Sequence, residues 1–427
     1  MDELRLSDSR IRPARTEDDL ARAAEFLGTP RVREIVDGHP EERGAVRICE
    51  IDDRIVGGIL LDPTPMRVRG VEVRCARICE TSGEDGRQRF RETGRRDLFA
   101  HLLEETLGYI WVKRYPLAFV HGELSLYPEH GFVPCFWHPR TYVETHRALA
   151  LKATYQVRRF KADDVAGITE LRVRHRRWKP VVFAAGVPAF HHFSILDGDR
   201  RVRGCFSLAA RPEARYTPKL FAPEVEVDDR AAACTFLRHA AEQAKELGLD
   251  SIHFPLGPGH PVARLCLELG GRAVLKGAAT DPFLDEEMLF MVDPPRLAAA
   301  LRPWFERRLA GEGRSIEASV PIVTEGGAWL LRVAEGTVAL TPLDPVPAKA
   351  LEIPRWKLTQ LMAGYRAVRE LDAALDAEEE EILNLLFPKT WPYSLPDPDH
   401  FDDVPPRRPW TDPATAAVRE TRLPWSP

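Results

Sequence analysis

Hydrophobic positions recur along the chain with two periods. Helical spacing is clearest at Leu98, Leu102, Leu103 and Leu107, which predicts an amphipathic helix over about 97–111. Leu20, Ala23, Ala24 and Leu27 predict another, opened by Thr16 and the acids Glu17, Asp18 and Asp19. Thr16 is placed to accept a bond from an orphan N–H of that helix, and the acids complement its dipole. Shorter apolar or alternating runs predict strands at 46–50, 56–61, 71–81 and 117–120.

Near position 155 the same pattern returns. Ile11-Arg12-Pro13-Ala14 ahead of Glu17-Asp18-Asp19 is echoed by Val157-Arg158-Arg159-Phe160 ahead of Asp163-Asp164, an internal repeat with a period near 145 residues. In the second copy strands are expected at 190–196, 203–209, 224–227 and 251–254, with a long helix over 230–247. Each copy closes on a short helix ending in glycine, and aligning Gly131 with Gly270 sets Tyr127 opposite Cys266. After Pro294-Pro295 the pattern changes. A helix (296–309), alternating segments (315–323, 328–333, 337–340) and helices at 354–364 and 378–386 predict a third, α+β domain. The acids Glu378 to Glu381 suit a solvated first helical turn better than a metal cluster, and the proline-rich end after 386 is expected to be extended.

Composition narrows the function classes. The chain has 427 residues, a formal net charge of −5, 29% charged and 44% hydrophobic residues, close to the soluble globular average. That argues against a generally basic nucleic-acid binder and against a disordered chain. No apolar run approaches the ~20 residues that cross a bilayer, and Met1-Asp2-Glu3-Leu4-Arg5 lacks the layout of a signal peptide, so a cytoplasmic protein without membrane or nucleic-acid partners is expected. The seven cysteines are scattered without a CxxC pair, which indicates neither a disulfide framework nor a thiolate zinc site; no metal is expected.

Three features carry candidate chemistry. Between Gly86 and Leu98, five arginines (87, 89, 91, 95, 96) and Gly94 lie between a strand and a helix N-terminus. Free N–H groups, a partial positive charge and guanidinium groups there suit a polyanion such as a pyrophosphate; a solvated arginine loop is the other reading. Tyr127, at the start of a short helix after a strand, is either a packing residue or a proton donor to a leaving thiolate. Glu80, at a strand end, is either an exposed carboxylate or a general base acting through water. His121 is similarly open between an edge residue and a functional one. His191 and His192 are adjacent in an expected strand and so point to opposite faces, which argues against a shared metal.

Together, Ile11-Arg12-Pro13-Ala14 with Glu17-Asp18-Asp19, the Arg91-x-x-Gly94 segment, and Leu126-Tyr127-x-x-x-Gly131-Phe132-Val133-Pro134 resemble the GNAT acyltransferase superfamily. The whole chain is similar to the Eis-type N-acetyltransferases, with Leu361-x-x-Gly364-Tyr365, Leu385-Leu386-Phe387-Pro388 and Asp399-His400-Phe401 as C-terminal landmarks. The resemblance implies an α/β (α+β) chain of tandem GNAT folds, each a mixed, mostly antiparallel sheet flanked by helices. It implies a catalytic GNAT domain over 1–150, a second without the CoA loop over 151–294, a sterol-carrier-protein-like domain over 295–403 and a tail over 404–427.

The activity implied is transfer of an acetyl group from acetyl-CoA to a primary amine of a small cationic molecule or a Lys side chain, by a homo-oligomer. Acetyl-CoA would be held by Ile78, Cys79 and Glu80 and by Arg91, Glu92, Thr93, Gly94, Arg95 and Arg96. Tyr127 would be the general acid and Glu80 a candidate base. Arg96 stands where the pattern has a small residue, the loop 82–90 is longer than usual, and 26 residues follow Phe401, where Eis-type chains place a terminal carboxylate as base. These departures support the alternative of a GNAT-derived, non-catalytic binding or scaffold protein with a degenerate CoA loop.

Overall fold

The computed structural model describes residues 10–27, 31–39, 44–63, 65–80, 96–123, 126–175, 192–211, 219–222, 225–257, 260–276, 285–313 and 315–390. The chain falls into two compact units, Met1–Phe136 together with Ala278–Pro392, and Trp137–Gly277.

The first unit is built on a seven-stranded sheet: β1 (Arg10–Pro13), β2 (Val46–Ile51), β3 (Arg54–Asp62), β4 (Cys75–Glu80), β5 (Leu117–Glu123), β6 (Val133–Pro134) and β7 (Asp285–Met291), in the order β1-β2-β3-β4-β5-β7-β6. Neighbours are antiparallel except β4 and β5, which are parallel. One face carries Ala76, Ile78, Ala118, Val120 and Met288, covered by α3 (Arg96–Val112) through Leu98, Phe99, Leu102 and Leu103. The other carries Val46, Ile48 and Leu60, covered by α1 (Glu17–Leu27) and α2 (Arg31–Gly38) through Leu20, Ala23, Leu27, Val32 and Ile35. Both helical spacings read from the sequence therefore end as buried stripes.

Residues 71–81, expected as one strand, form two. Val71–Val73 folds back on Met66–Val68 across a turn at Arg69 and Gly70, both at positive φ (+53° and +76°), and β4 begins only at Cys75. Likewise the helix expected over 296–309 is two helices, Pro294–Ala300 and Arg302–Glu312. Pro303 enters the second in its first turn, where its missing N–H costs nothing, and it could not have continued the first.

The last segment of this unit has a four-stranded sheet, in which Thr337–Pro342, Gly327–Ala334 and Ala318–Thr324 run antiparallel and Leu351–Glu352 lies parallel to Ala318–Thr324. Arg69 ties the hairpin to it. Its guanidinium donates to the carbonyls of Leu361 (2.6 Å), Met362 (2.8 Å) and Pro388 (2.9 Å), and lies over the rings of Trp304 and Phe387. Leu361 and Met362 lie in the last turn of the helix Arg355–Ala363, so the cation meets the negative end of the helix dipole and shares the Leu361 carbonyl with the N–H of the capping Gly364. Burial, with Arg308 nearby, pulls the Arg69 pKa down to about 9.

Among the described residues, the second unit has two sheets. Gln156–Arg159, His192–Leu196, Val202–Ser207 and Val225–Val227 form one; Ala209–Arg211, Lys219–Phe221, Ser251–Phe254, His138–Glu144 and Arg272–Lys276 form the other. The long helix is Arg230–Glu246. His191 lies outside the described residues, and the strand opens at His192.

The internal repeat holds at atomic detail. In the first copy Asp19 binds the Arg12 guanidinium at 2.6 and 2.9 Å and accepts from the Thr16 N–H, while its own N–H donates to the Thr16 hydroxyl. In the second, Asp164 binds Arg158 at 2.6 and 2.9 Å and accepts from the Lys161 N–H. Each aspartate is held below the usual carboxylate range. For Asp19 the bond to Arg12 is the main cause; for Asp164 burial pushes upward, but bonds from Ser194 and Arg158 together outweigh it.

Candidate functional site

The parallel pair β4 and β5 sets the site. Their ladder runs Cys75–Leu117, Ala76–Ala118, Arg77–Phe119 and Ile78–Val120. Among the described residues no later rung joins them, although β4 continues to Glu80 and β5 to Glu123. Each strand keeps its other neighbour there: Glu80 still faces Leu60 on β3, while His121, Gly122 and Glu123 face Glu287, Glu286 and Asp285 on β7.

The cause is local. The β3 register steps from Leu61–Ile78 to Leu60–Glu80, so Cys79 is an extra residue in β4. Such a bulge bends its strand and increases its twist, here at the point where the ladder to β5 ends. A wedge therefore opens in the middle of the sheet, with one wall at Cys79 and Glu80 and the other at His121 and Gly122. A parallel ladder that stops while both strands run on suits an extended, amide-bearing ligand between them.

Tyr127 sits at this mouth. It precedes the short 3₁₀ helix Pro128–His130, which Gly131 closes at φ +86°. Its ring is buried, edge-on to Phe99 (5.4 Å) and Phe132 (5.6 Å). It also lies against the backbone of Gly122: a Cβ built there would come within 2.3 Å of the ring's Cε2 atom. The glycine is what allows the phenol to approach β5. Val120 and Gly122 thus share the α3 face with Tyr127, and His121 between them points to the opposite face.

Of the expected site residues, Ile78 and Cys79 are on β4, the first buried on the α3 face and the second packed toward α1 and α2. The Glu80 backbone ends β4. Arg91, Glu92, Thr93, Gly94 and Arg95 lie outside the described residues, and Arg96 is the first residue of α3. The structure thus brings Ile78, Cys79, Glu80 and Tyr127 to the two sides of one wedge.

Two buried carboxylates on β7, Glu286 and Glu287, escape a reading of the sequence alone. They precede an apolar run, Met288 to Met291, and pair with a strand far away in the chain. The one signal that could have found them is a pair of acids leading directly into that run.

At the corresponding place in the second unit, two residues, Asp228 and Asp229, join Val225–Val227 to Arg230–Glu246. The Asp229 carboxylate accepts from the Ala232 N–H at 2.7 Å, so this helix start already carries its own anion. Cys266, opposite Tyr127 in the repeat, is buried, and burial pushes its thiol pKa up to about 12.

No protein-family model and no curated protein sequence matches the chain. Solved structures do. A GCN5-related N-acetyltransferase from Anabaena variabilis is 14% identical, with a TM-score of 0.65 over 91% of this chain and 99% of that one. One from Kribbella flavida is 19% identical, with a TM-score of 0.63 over 91% and 98%. Eis1 from Mycobacterium abscessus is 16% identical, with a TM-score of 0.61 over 90% and 99%. The chain has the mixed α/β fold of these GCN5-related N-acetyltransferases, Eis1 among them.

Proposed function

We propose that this chain is an acetyl-CoA-dependent N-acetyltransferase that acetylates a primary amine of a small cationic molecule or a Lys side chain. The observation that carries the proposal is the wedge between β4 and β5 with the Tyr127 ring seated on Gly122 at its mouth. Acetyl-CoA is a substrate here. Ile78, Cys79 and Glu80 would pair with its amide-bearing arm, and the segment from Arg91 to Arg96, leading into α3, would hold its diphosphate. A phenol beside that arm can protonate the departing thiolate, and Tyr127 has that role in this reading.

The amine has to lose a proton before it can attack. An alkylamine of pKa near 10.4 is almost wholly ammonium at pH 7, so a base must assist. In the same reading residues 1–150 supply the catalytic module and 151–294 a module whose helix start is closed by Asp229. Residues 295–403 form a sterol-carrier-like module that buttresses the first through Arg69.

Calorimetry and turnover test this together. Acetyl-CoA is expected to bind at micromolar concentration, and Tyr127→Phe is expected to lower thiol release by ~100-fold or more while leaving that binding in place. Absence of binding would return the chain to the scaffold reading; full turnover by Tyr127→Phe would remove the acid.

A further inference from the structure

A proton must leave where the nitrogen arrives and be delivered where the sulfur departs. The acid and the base are therefore best placed on different sides of the acyl carbon. The pleat of β5 supplies two sides at its mouth, because consecutive residues point to opposite faces of the sheet. Gly122 carries the Tyr127 ring on the α3 face. His121, one residue earlier, projects to the face of Phe119 and Phe136. It is the first residue of β5 beyond the last β4–β5 rung, and it is half-buried, so a ligand in the wedge can reach it.

Directly opposite His121 on β7 is Glu287, only 6% exposed. Side chains at such a cross-strand position have Cβ atoms roughly 5 Å apart on the same face. Charged groups on the same face include Arg77, at the Phe119 rung of β4, and Asp62, paired with it on β3, both buried, and farther along the sheet the ion-paired Arg12 and Glu50.

Taking the transferase reading as its basis, we infer that His121 accepts the proton of the acceptor ammonium and that Glu287 orients the imidazole and stabilises its charged form. This is the division of labour of a base held by a carboxylate. Neutral His121 takes one proton from the ammonium. The amine nitrogen bonds to the acyl carbon, the carbon–sulfur bond breaks, and Tyr127 gives its proton to the sulfur. The acylated nitrogen gives up its second proton, which restores the Tyr127 phenol, and His121 returns the first to solvent, so the step needs no further reactant. His121 touches the reacting nitrogen; Glu287 is a positioning residue.

The test uses two acceptors with the full chain. Spermine is an ammonium at pH 7.5, and acetohydrazide is already neutral there. Thiol release from acetyl-CoA is followed for wild type, His121→Gln, Glu287→Gln and Glu80→Gln. The expected result is a loss of ~100-fold in kcat with spermine for His121→Gln, and a smaller loss for Glu287→Gln. Both variants should lose less than ~5-fold with acetohydrazide and keep the KM for acetyl-CoA within ~3-fold.

Equal losses with both acceptors would mean the pair is merely structural and would overturn the assignment. So would the acceptor-dependent loss appearing in Glu80→Gln instead. If wild type turns over both acceptors and His121→Gln matches it, the pair alone fails. If wild type releases thiol with neither, the transferase reading fails and the assignment with it. Should His121→Gln not fold, His121→Asn and Glu287→Gln carry the same comparison.

Discussion

Replacing Gly122 by alanine tests the geometry of the wedge without touching a titratable group. The added Cβ would lie 2.3 Å from the Cε2 atom and 2.8 Å from the Cδ2 atom of Tyr127. Carbon atoms settle at about 3.5 Å or more, so the ring has to move by about 1.2 Å. It has no easy direction in which to move, since Phe99 and Phe132 meet it edge-on at 5.4 and 5.6 Å. Overpacking of this kind costs roughly 1–3 kcal/mol. Alanine for glycine inside a strand would otherwise return about 0.5–1 kcal/mol. The net expectation is a loss of about 1–2 kcal/mol in urea unfolding. A phenol displaced by about 1 Å is expected to lower thiol release by ~100-fold. Tyr127→Leu in the same chain shortens the obstructing side chain, so the two substitutions together should destabilise less than their sum, by about 1 kcal/mol. If Gly122→Ala unfolds at the wild-type urea concentration and turns over at the wild-type rate, the ring does not sit where the argument needs it.

Other substitutions probe the scaffold. Arg69→Met takes the guanidinium donor away from the carbonyls of Leu361, Met362 and Pro388 and should cost about 3 kcal/mol in denaturant unfolding; Arg69→Lys should not restore it, because an ammonium cannot fork across three carbonyls. The folded pKa of Asp19 is depressed, so its stabilisation is in force above the ordinary carboxylate pKa of about 3.9 and is lost as pH falls below that value; Asp19→Asn should therefore narrow the gap between urea midpoints at pH 7 and pH 3. Asp229→Ala removes a helix cap and the acceptor of the Tyr155 hydroxyl, and should lower stability by about 1 kcal/mol or more, read by thermal unfolding; an unchanged midpoint would show that the cap contributes nothing.

Local periodicity made part of this fold legible in the sequence. Helix α3, the capped start of α1 and the Arg–Asp repeat each depend on residues within a few positions of one another, so their spacing survives in one dimension. The pairing of β7 with β5 does not. Asp285 to Met291 opens with three acids, which reads as a loop until its partner, far earlier in the chain, is known. His138–Glu144 is similarly masked by Pro139 and Arg140, and becomes a strand through its pairing with Ser251–Phe254 and Arg272–Lys276. The bulge at Cys79 left no trace at all, because a single extra residue in one strand is defined only by the register of its neighbour. Tyr127 could be nominated from sequence, but whether its ring packs or faces a cleft depends on the absence of a side chain at Gly122.

The two copies of the repeat show which differences matter chemically. They share the arginine–aspartate clamp at the first helix and the glycine at positive φ that closes the last one, Gly131 and Gly270. They differ at the place that the transferase reading gives to a diphosphate and a thioester. In the first copy residues 81–95 join β4 to α3, and Arg87, Arg89, Arg91 and Arg95 are among them. In the second copy two aspartates fill that connection, and one of them caps the helix with its own carboxylate. An anion approaching the second helix start meets a negative charge already bonded to an N–H group there; one approaching the first meets a segment rich in cationic residues. The phenol is likewise kept in one copy and replaced by a buried thiol, held protonated, in the other. On the transferase reading, the clamp serves the folding of both modules, and the phenol and the arginines serve only the module that handles the thioester.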